Sequence, residues 1–142
     1  MLTYIWPAIL IVISNVVYNI TTKSTPENAN PFLSLTITYL VGSCFSFIAY
    51  LLWHENNLIE NIKHLNYTSI LLGFAIVGLE TGYIYLYRAG WKISIGSLMV
   101  NIALAVVLVI VGILFYKEHI TYKQIIGVLL CVTGLIFLNV KS

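Results

Sequence analysis

The chain has 142 residues, of which 60% are apolar and only 8% charged, with a formal net charge of +2. A soluble domain carries about 25% charged residues, and one small core could not hide this much apolar surface, so lipid must cover much of it. The small, scattered positive balance excludes a nucleic-acid surface.

Five segments qualify as all-α membrane spans: residues 3–22, 32–53, 68–87, 94–116 and 121–139. Each offers the roughly 20 mostly apolar residues that a crossing needs. The chain therefore reads as a single five-helix membrane domain over residues 1–142, multi-pass in the cell membrane.

In the first helix no Lys or Arg precedes Lys23 and no small-residue cleavage site follows the apolar run, so it is expected to be retained. Pro7 stands near its start, where a missing N–H costs little. Asn15, Asn19 and Thr22 share one face. The second helix opens on Asn30-Pro31, a cap followed by a first-turn proline. It carries Thr36, Tyr39, Ser43, Ser46 and Tyr50 at three- and four-residue spacing.

Residues 54–67, from His54-Glu55-Asn56-Asn57 to Asn66, read as a wet interfacial loop. His54 and His64 are ten residues apart with no third ligand at metal spacing, so neither metal nor cofactor is expected. Asn66-Tyr67-Thr68 and Asn19-Ile20-Thr21 match the glycosylation pattern, but both touch the membrane. The fourth helix offers Ser94, Ser97 and Asn101. The fifth has a small-residue stripe of Gly127, Cys131 and Gly134, which suits a packing or dimer face. Cys44 and Cys131 lie in apolar runs without metal or disulfide spacing and read as packing residues. Trp6, Trp53, Trp91, Tyr67, Tyr87, Tyr116 and Tyr122 fall near helix ends, where amphipathic rings settle at headgroup level.

Glu80 carries the most information. It lies about a dozen residues into the third helix, roughly 17 Å deep at 1.5 Å per residue. An ionisable group at that depth is costly and marks a cavity or partner with a functional role. Desolvation disfavours its charged form, so it can hold a proton in one state and a cation in another. Tyr83 and Tyr87 follow at i+3 and i+7 on the same face, and aromatic faces attract cations. The alternative is a structural acid paired with an Asn or Tyr of a neighbouring helix, or with Arg88. Polar faces on four helices fit a cavity better than scattered interhelical bonds. The expected substrate and proton site is therefore Glu80, Tyr83, Tyr87, Asn15, Asn19, Tyr39, Ser43, Ser97 and Asn101. No enzyme is expected: the chain has no Asp, no paired carboxylates in the spans and no Gly-rich phosphate loop.

Five spans put the termini on opposite sides. One side then holds Lys63, Lys117 and Lys123, the other Lys23, Arg88, Lys92 and Lys141, three basic residues against four. Orientation follows a Lys/Arg excess, and here there is almost none. Many transporters pair two repeats of opposite topology around a central site. One chain inserted both ways would build the same object as an antiparallel homodimer; the alternative is one orientation favoured by a small bias.

The run Gly112-Ile113-Leu114-Phe115-Tyr116-Lys117-Glu118-His119-Ile120-Thr121, continuing through Gln124-Ile125-Ile126-Gly127 to Leu130 and Gly134, resembles the end of an EamA-type repeat of the drug/metabolite transporter superfamily. Ser14-Asn15, Lys23 and Asn30-Pro31 resemble its start, so the likeness spans nearly the whole chain as one repeat. Such proteins usually carry two inverted repeats and move metabolites or drugs by alternating access. The resemblance implies that two copies assemble here and that Glu118 is structural. The family often has a proline in its fourth helix, and this chain has none after Pro31.

The leading expectation is a homodimeric, proton-coupled exporter of small organic cations or metabolites. A carrier of neutral or zwitterionic metabolites such as amino acids, and a non-transporting membrane subunit, are the alternatives.

Overall fold

The computed structural model describes residues 2–53, 58–119 and 121–139. The elements are α1 (Leu2–Lys23), α2 (Pro31–Trp53), α3 (Leu58–Lys63), α4 (Tyr67–Arg88), α5 (Ile93–Tyr116) and α6 (Tyr122–Asn139). The expected boundaries lie within a residue or two of these. Two expectations need correction. The segment read as loop contains the short helix α3, tied to α2 by the Asn61 amide donating to the Tyr50 hydroxyl at 3.2 Å. Pro7 stands inside α1 rather than in its first turn, so it removes one helical bond from the second turn. His54, Glu55, Asn56, Asn57, Ile120 and Lys141 lie outside the described residues.

Side-chain caps mark the starts of α2, α4 and α6, whereas α5 begins after Lys92 without one. Asn30 Oδ1 accepts from the Phe32 and Leu33 amides at 3.0 and 3.2 Å, and Asn66 Oδ1 from the Thr68 amide at 3.0 Å. At α6, Gln124 Oε1 accepts from the Thr121 amide at 2.8 Å, the return half of a capping box.

Among the described residues four helices are long and apolar enough to cross a membrane: Ile5–Lys23, Pro31–Trp53, Tyr67–Arg88 and Ile93–Tyr116. Among the described residues the apolar stretch of α6 is Tyr122–Gly134, shorter than a full crossing. Among the described residues the buried apolar side chains are few, Leu35, Tyr83, Ile84 and Tyr87, while Phe45, Phe74, Leu52 and Trp53 stand exposed. Such helices fold on each other narrowly and leave the rest of their circumference to lipid. This is a multi-pass helical membrane protein.

The chain divides into two compact units, Met1–Ala89 and Gly90–Ser142. In the first, α4 packs against both α1 and α2; in the second, α5 packs against α6. Gly90 takes φ +92°, a left-handed conformation that glycine adopts without a Cβ penalty just after α4 ends.

Candidate functional site

The first unit is held by a polar seam between α1 and α4. The Tyr87 hydroxyl donates to Asn19 Oδ1, and the Asn19 amide donates to the Asn15 carbonyl at 2.8 Å. Asn19 is buried, 5% exposed, and this chain of bonds is what makes its burial tolerable. The Tyr18 ring meets Tyr83 edge-on at 5.5 Å and 86°, and Tyr83 lies 6.0 Å from Tyr87. At the end of the seam Lys23 Nζ donates to the Tyr87 carbonyl at 3.1 Å and stands 5.7 Å from the Tyr87 ring centroid. The ammonium thus caps a carbonyl at the C-terminus of α4. Arg88 reaches the α1–α2 connection instead of Glu80, donating to the Pro26 and Ala29 carbonyls at 3.0 and 2.7 Å.

Beside this seam lies a cavity of about 130 Å³ lined by Tyr18, Thr22, Ser34, Thr38, Glu80 and Ile84 among others. Three helices contribute: α1 the tyrosine and threonine, α2 the serine and second threonine, α4 the glutamate. Glu80 is half-buried. The Tyr18 and Tyr39 phenols lie within electrostatic reach of its carboxyl. Both hydroxyls are shielded and have no hydrogen-bond partner; the Tyr18 hydroxyl lies beside the Thr22 side chain, whose Oγ1 donates to the Tyr18 carbonyl at 2.8 Å. Tyr39 also lines a neighbouring apolar groove of about 420 Å³ between α2 and α4, with Gly73, Phe74 and Val77.

The residues expected at the site thus divide. Glu80 lines the cavity, and Tyr39 lies close to it. Tyr83, Tyr87 and Asn19 form the seam, and Asn15 ends it. Ser43 is exposed on α2, donating to the Leu40 carbonyl at 2.9 Å, and is not brought to the cavity. The α2 face that meets Glu80 carries Ser34 and Thr38, offset from the expected stripe. Tyr18, Ser34 and Thr38 were not anticipated. Tyr18 does continue the Asn15–Thr22 face at three- and four-residue steps, and that spacing is the signal that could have found it.

In the second unit, the Asn101 amide donates to Ser97 Oγ at 3.3 Å. Asn101, Glu118, Gln124, Gly127 and Cys131 line a cleft of about 540 Å³ between α5 and α6. Gly134 meets open space. Lys117 adopts φ 52°, a left-handed turn that brings the Glu118 amide 3.0 Å from the Gly112 carbonyl. The Glu118 side chain then folds over Gly112, where an added Cβ would stand 2.7 Å from Oε2. Among the described residues no three His, Cys, Asp or Glu side chains converge as a metal site needs.

The EamA-like transporter family pattern matches residues 2–140. The chain is also similar to the uncharacterized protein MJ1333.1 of Methanocaldococcus jannaschii, 30% identical over 113 residues that cover 80% of each chain. No solved structure matches.

Proposed function

This chain belongs to the EamA-like transporter family, and from that premise we propose that it carries small organic cations or metabolites across the cytoplasmic membrane in exchange for protons. The observation that carries the proposal is the placing of Glu80, an acid deep in a spanning helix, on a cavity that α1 and α2 line with hydroxyls. A carboxylate inside a membrane is retained against its cost where it binds something. Protonated, it releases a cation; deprotonated, it attracts one. If each ligand favours a different face of the carrier, cation and proton drive each other's passage by alternating access.

The working unit is a homodimer. The 130 Å³ cavity is well below the roughly 300–1,000 Å³ of a site for a drug-sized ligand, so a larger substrate needs walls from a second copy. The nearly even Lys/Arg count on the two sides supports an antiparallel pair, with α6 as a fifth crossing and one membrane domain per chain. A C-terminal tag found on one face only in cells would remove the antiparallel arrangement.

The test is proton movement in liposomes holding the purified protein, challenged with organic cations and with neutral and zwitterionic metabolites. Cation-driven proton flux in wild type, lost in Glu80→Gln, is the expected result. Uptake that needs no proton and survives Glu80→Gln would transfer the reading to neutral or zwitterionic cargo. Absence of flux with every compound would leave a membrane subunit without transport.

A further inference from the structure

The hydroxyls around Glu80 are oriented by their own helices. Thr22 Oγ1 donates to the Tyr18 carbonyl at 2.8 Å and Thr38 Oγ1 to the Ser34 carbonyl at 3.1 Å. Thr21 Oγ1 donates to the Val17 and Tyr18 carbonyls at 2.9 and 3.0 Å, and Thr25 Oγ1 to the Thr21 carbonyl at 3.3 Å. All four threonines line the cavity. Each has committed its single proton to a backbone carbonyl of the preceding turn, the usual resort of a threonine in a helix. A hydroxyl has one donor and two acceptor sites, so each presents only lone pairs to the cavity. An ionised Glu80 is likewise acceptor-only. The threonine part of the wall is therefore an array of acceptors beside one carboxylate, while the Tyr18 hydroxyl, which has no hydrogen-bond partner, is a donor on the same wall.

Such a wall discriminates among cations by their hydrogens. A primary ammonium brings three N–H donors on a compact head. A quaternary ammonium brings the same charge and no donor, and its methyl groups would strip water from the threonine oxygens without replacing the bonds. Size points the same way: at about 30 Å³ per water, the 130 Å³ cavity holds roughly four waters, enough for an ammonium head and a carbon or two. We infer that the Glu80 cavity is a site for the N–H-bearing ammonium head of a primary amine and excludes quaternary ammonium. The inference rests on Glu80 being the cation site proposed above.

The experiment uses the full chain in nanodiscs of phosphatidylcholine and phosphatidylglycerol, with calorimetric titration of n-butylammonium and n-butyltrimethylammonium. Wild type should bind the primary amine at least about tenfold more tightly, the loss expected for one charge-assisted hydrogen bond. Binding should vanish in Glu80→Gln. Thr22→Val and Thr38→Val keep side-chain shape and remove one acceptor each; since the carbonyl they bonded keeps its helical N–H, folding is spared. Each should weaken the primary amine about threefold or more and leave the quaternary analogue unchanged. Quaternary binding as tight as primary, and equally dependent on Glu80, would overturn the inference and leave the Glu80 site standing. Sodium competing as well as n-butylammonium would reassign the acceptor array to a metal ion and overturn it too. Binding of neither amine, or binding indifferent to Glu80→Gln, would remove the Glu80 site and the inference together.

Discussion

Replacing Tyr87 by Phe removes one hydroxyl and keeps the ring over which Lys23 Nζ stands 5.7 Å from the centroid. The hydroxyl donates to Asn19 Oδ1 between α4 and α1, while the Asn19 amide keeps its 2.8 Å bond to the Asn15 carbonyl. Both partners are buried, Tyr87 at 3% and Asn19 at 5% exposure, so the substitution isolates one interhelical bond shielded from water. Polar bonds between membrane helices average about 0.6 kcal/mol and reach about 1.7 kcal/mol. At about 1.4 kcal/mol per tenfold, Tyr87→Phe should raise the unfolding constant about 3- to 18-fold. Asn19→Leu should cost more, about 1–3 kcal/mol, because it strands a buried phenol as well as deleting the bond. The double variant should fall short of the sum of the singles by about 0.6–1.7 kcal/mol, since with both partners gone nothing is left unpaired. Reversible unfolding of the four proteins in mixed micelles by a denaturing detergent reads this coupling directly. Effects that add to within about 0.3 kcal/mol would refute the seam as an energetic link between α1 and α4.

Arg88→Met should loosen the α1–α2 connection, because two carbonyls lose a charged donor worth about 1.5–3 kcal/mol per bond. The Ala29 amide, bonded to the Pro26 carbonyl at 3.1 Å, should then exchange its hydrogen about 10- to 150-fold faster, and unchanged exchange would argue that the clasp is idle. Gly112→Ala forces the Glu118 carboxylate away from a Cβ that would otherwise stand 2.7 Å from it. That displacement should offset the roughly 1 kcal/mol of helix propensity gained by alanine, whereas in a Glu118→Ala background the gain should appear in full. Equal gains in both backgrounds would contradict the contact.

The helices were legible because lipid imposes one strong condition, long apolar runs with their backbone bonds closed internally. Asn30-Pro31 marked a helix start because cap residues act on their nearest neighbours alone. Helix α3 was missed because six residues, three of them apolar, make too short a segment to show a helical period. Glu80 stood out by cost alone, one acid in a run that should exclude it.

What the sequence by itself determined is the membrane class, the helix order, the family likeness and the identity of the acid within the spans, all properties of one segment at a time. The tertiary structure decided which neighbours that acid has. Tyr83 and Tyr87 share a helix face with Glu80 in projection, yet α1 captures their rings and the Tyr87 hydroxyl, while Tyr18, Ser34 and Thr38 reach the cavity instead. The reason is that helical spacing fixes which residues of one helix share a face, while the rotation of each helix against its neighbours is set by close packing among all of them.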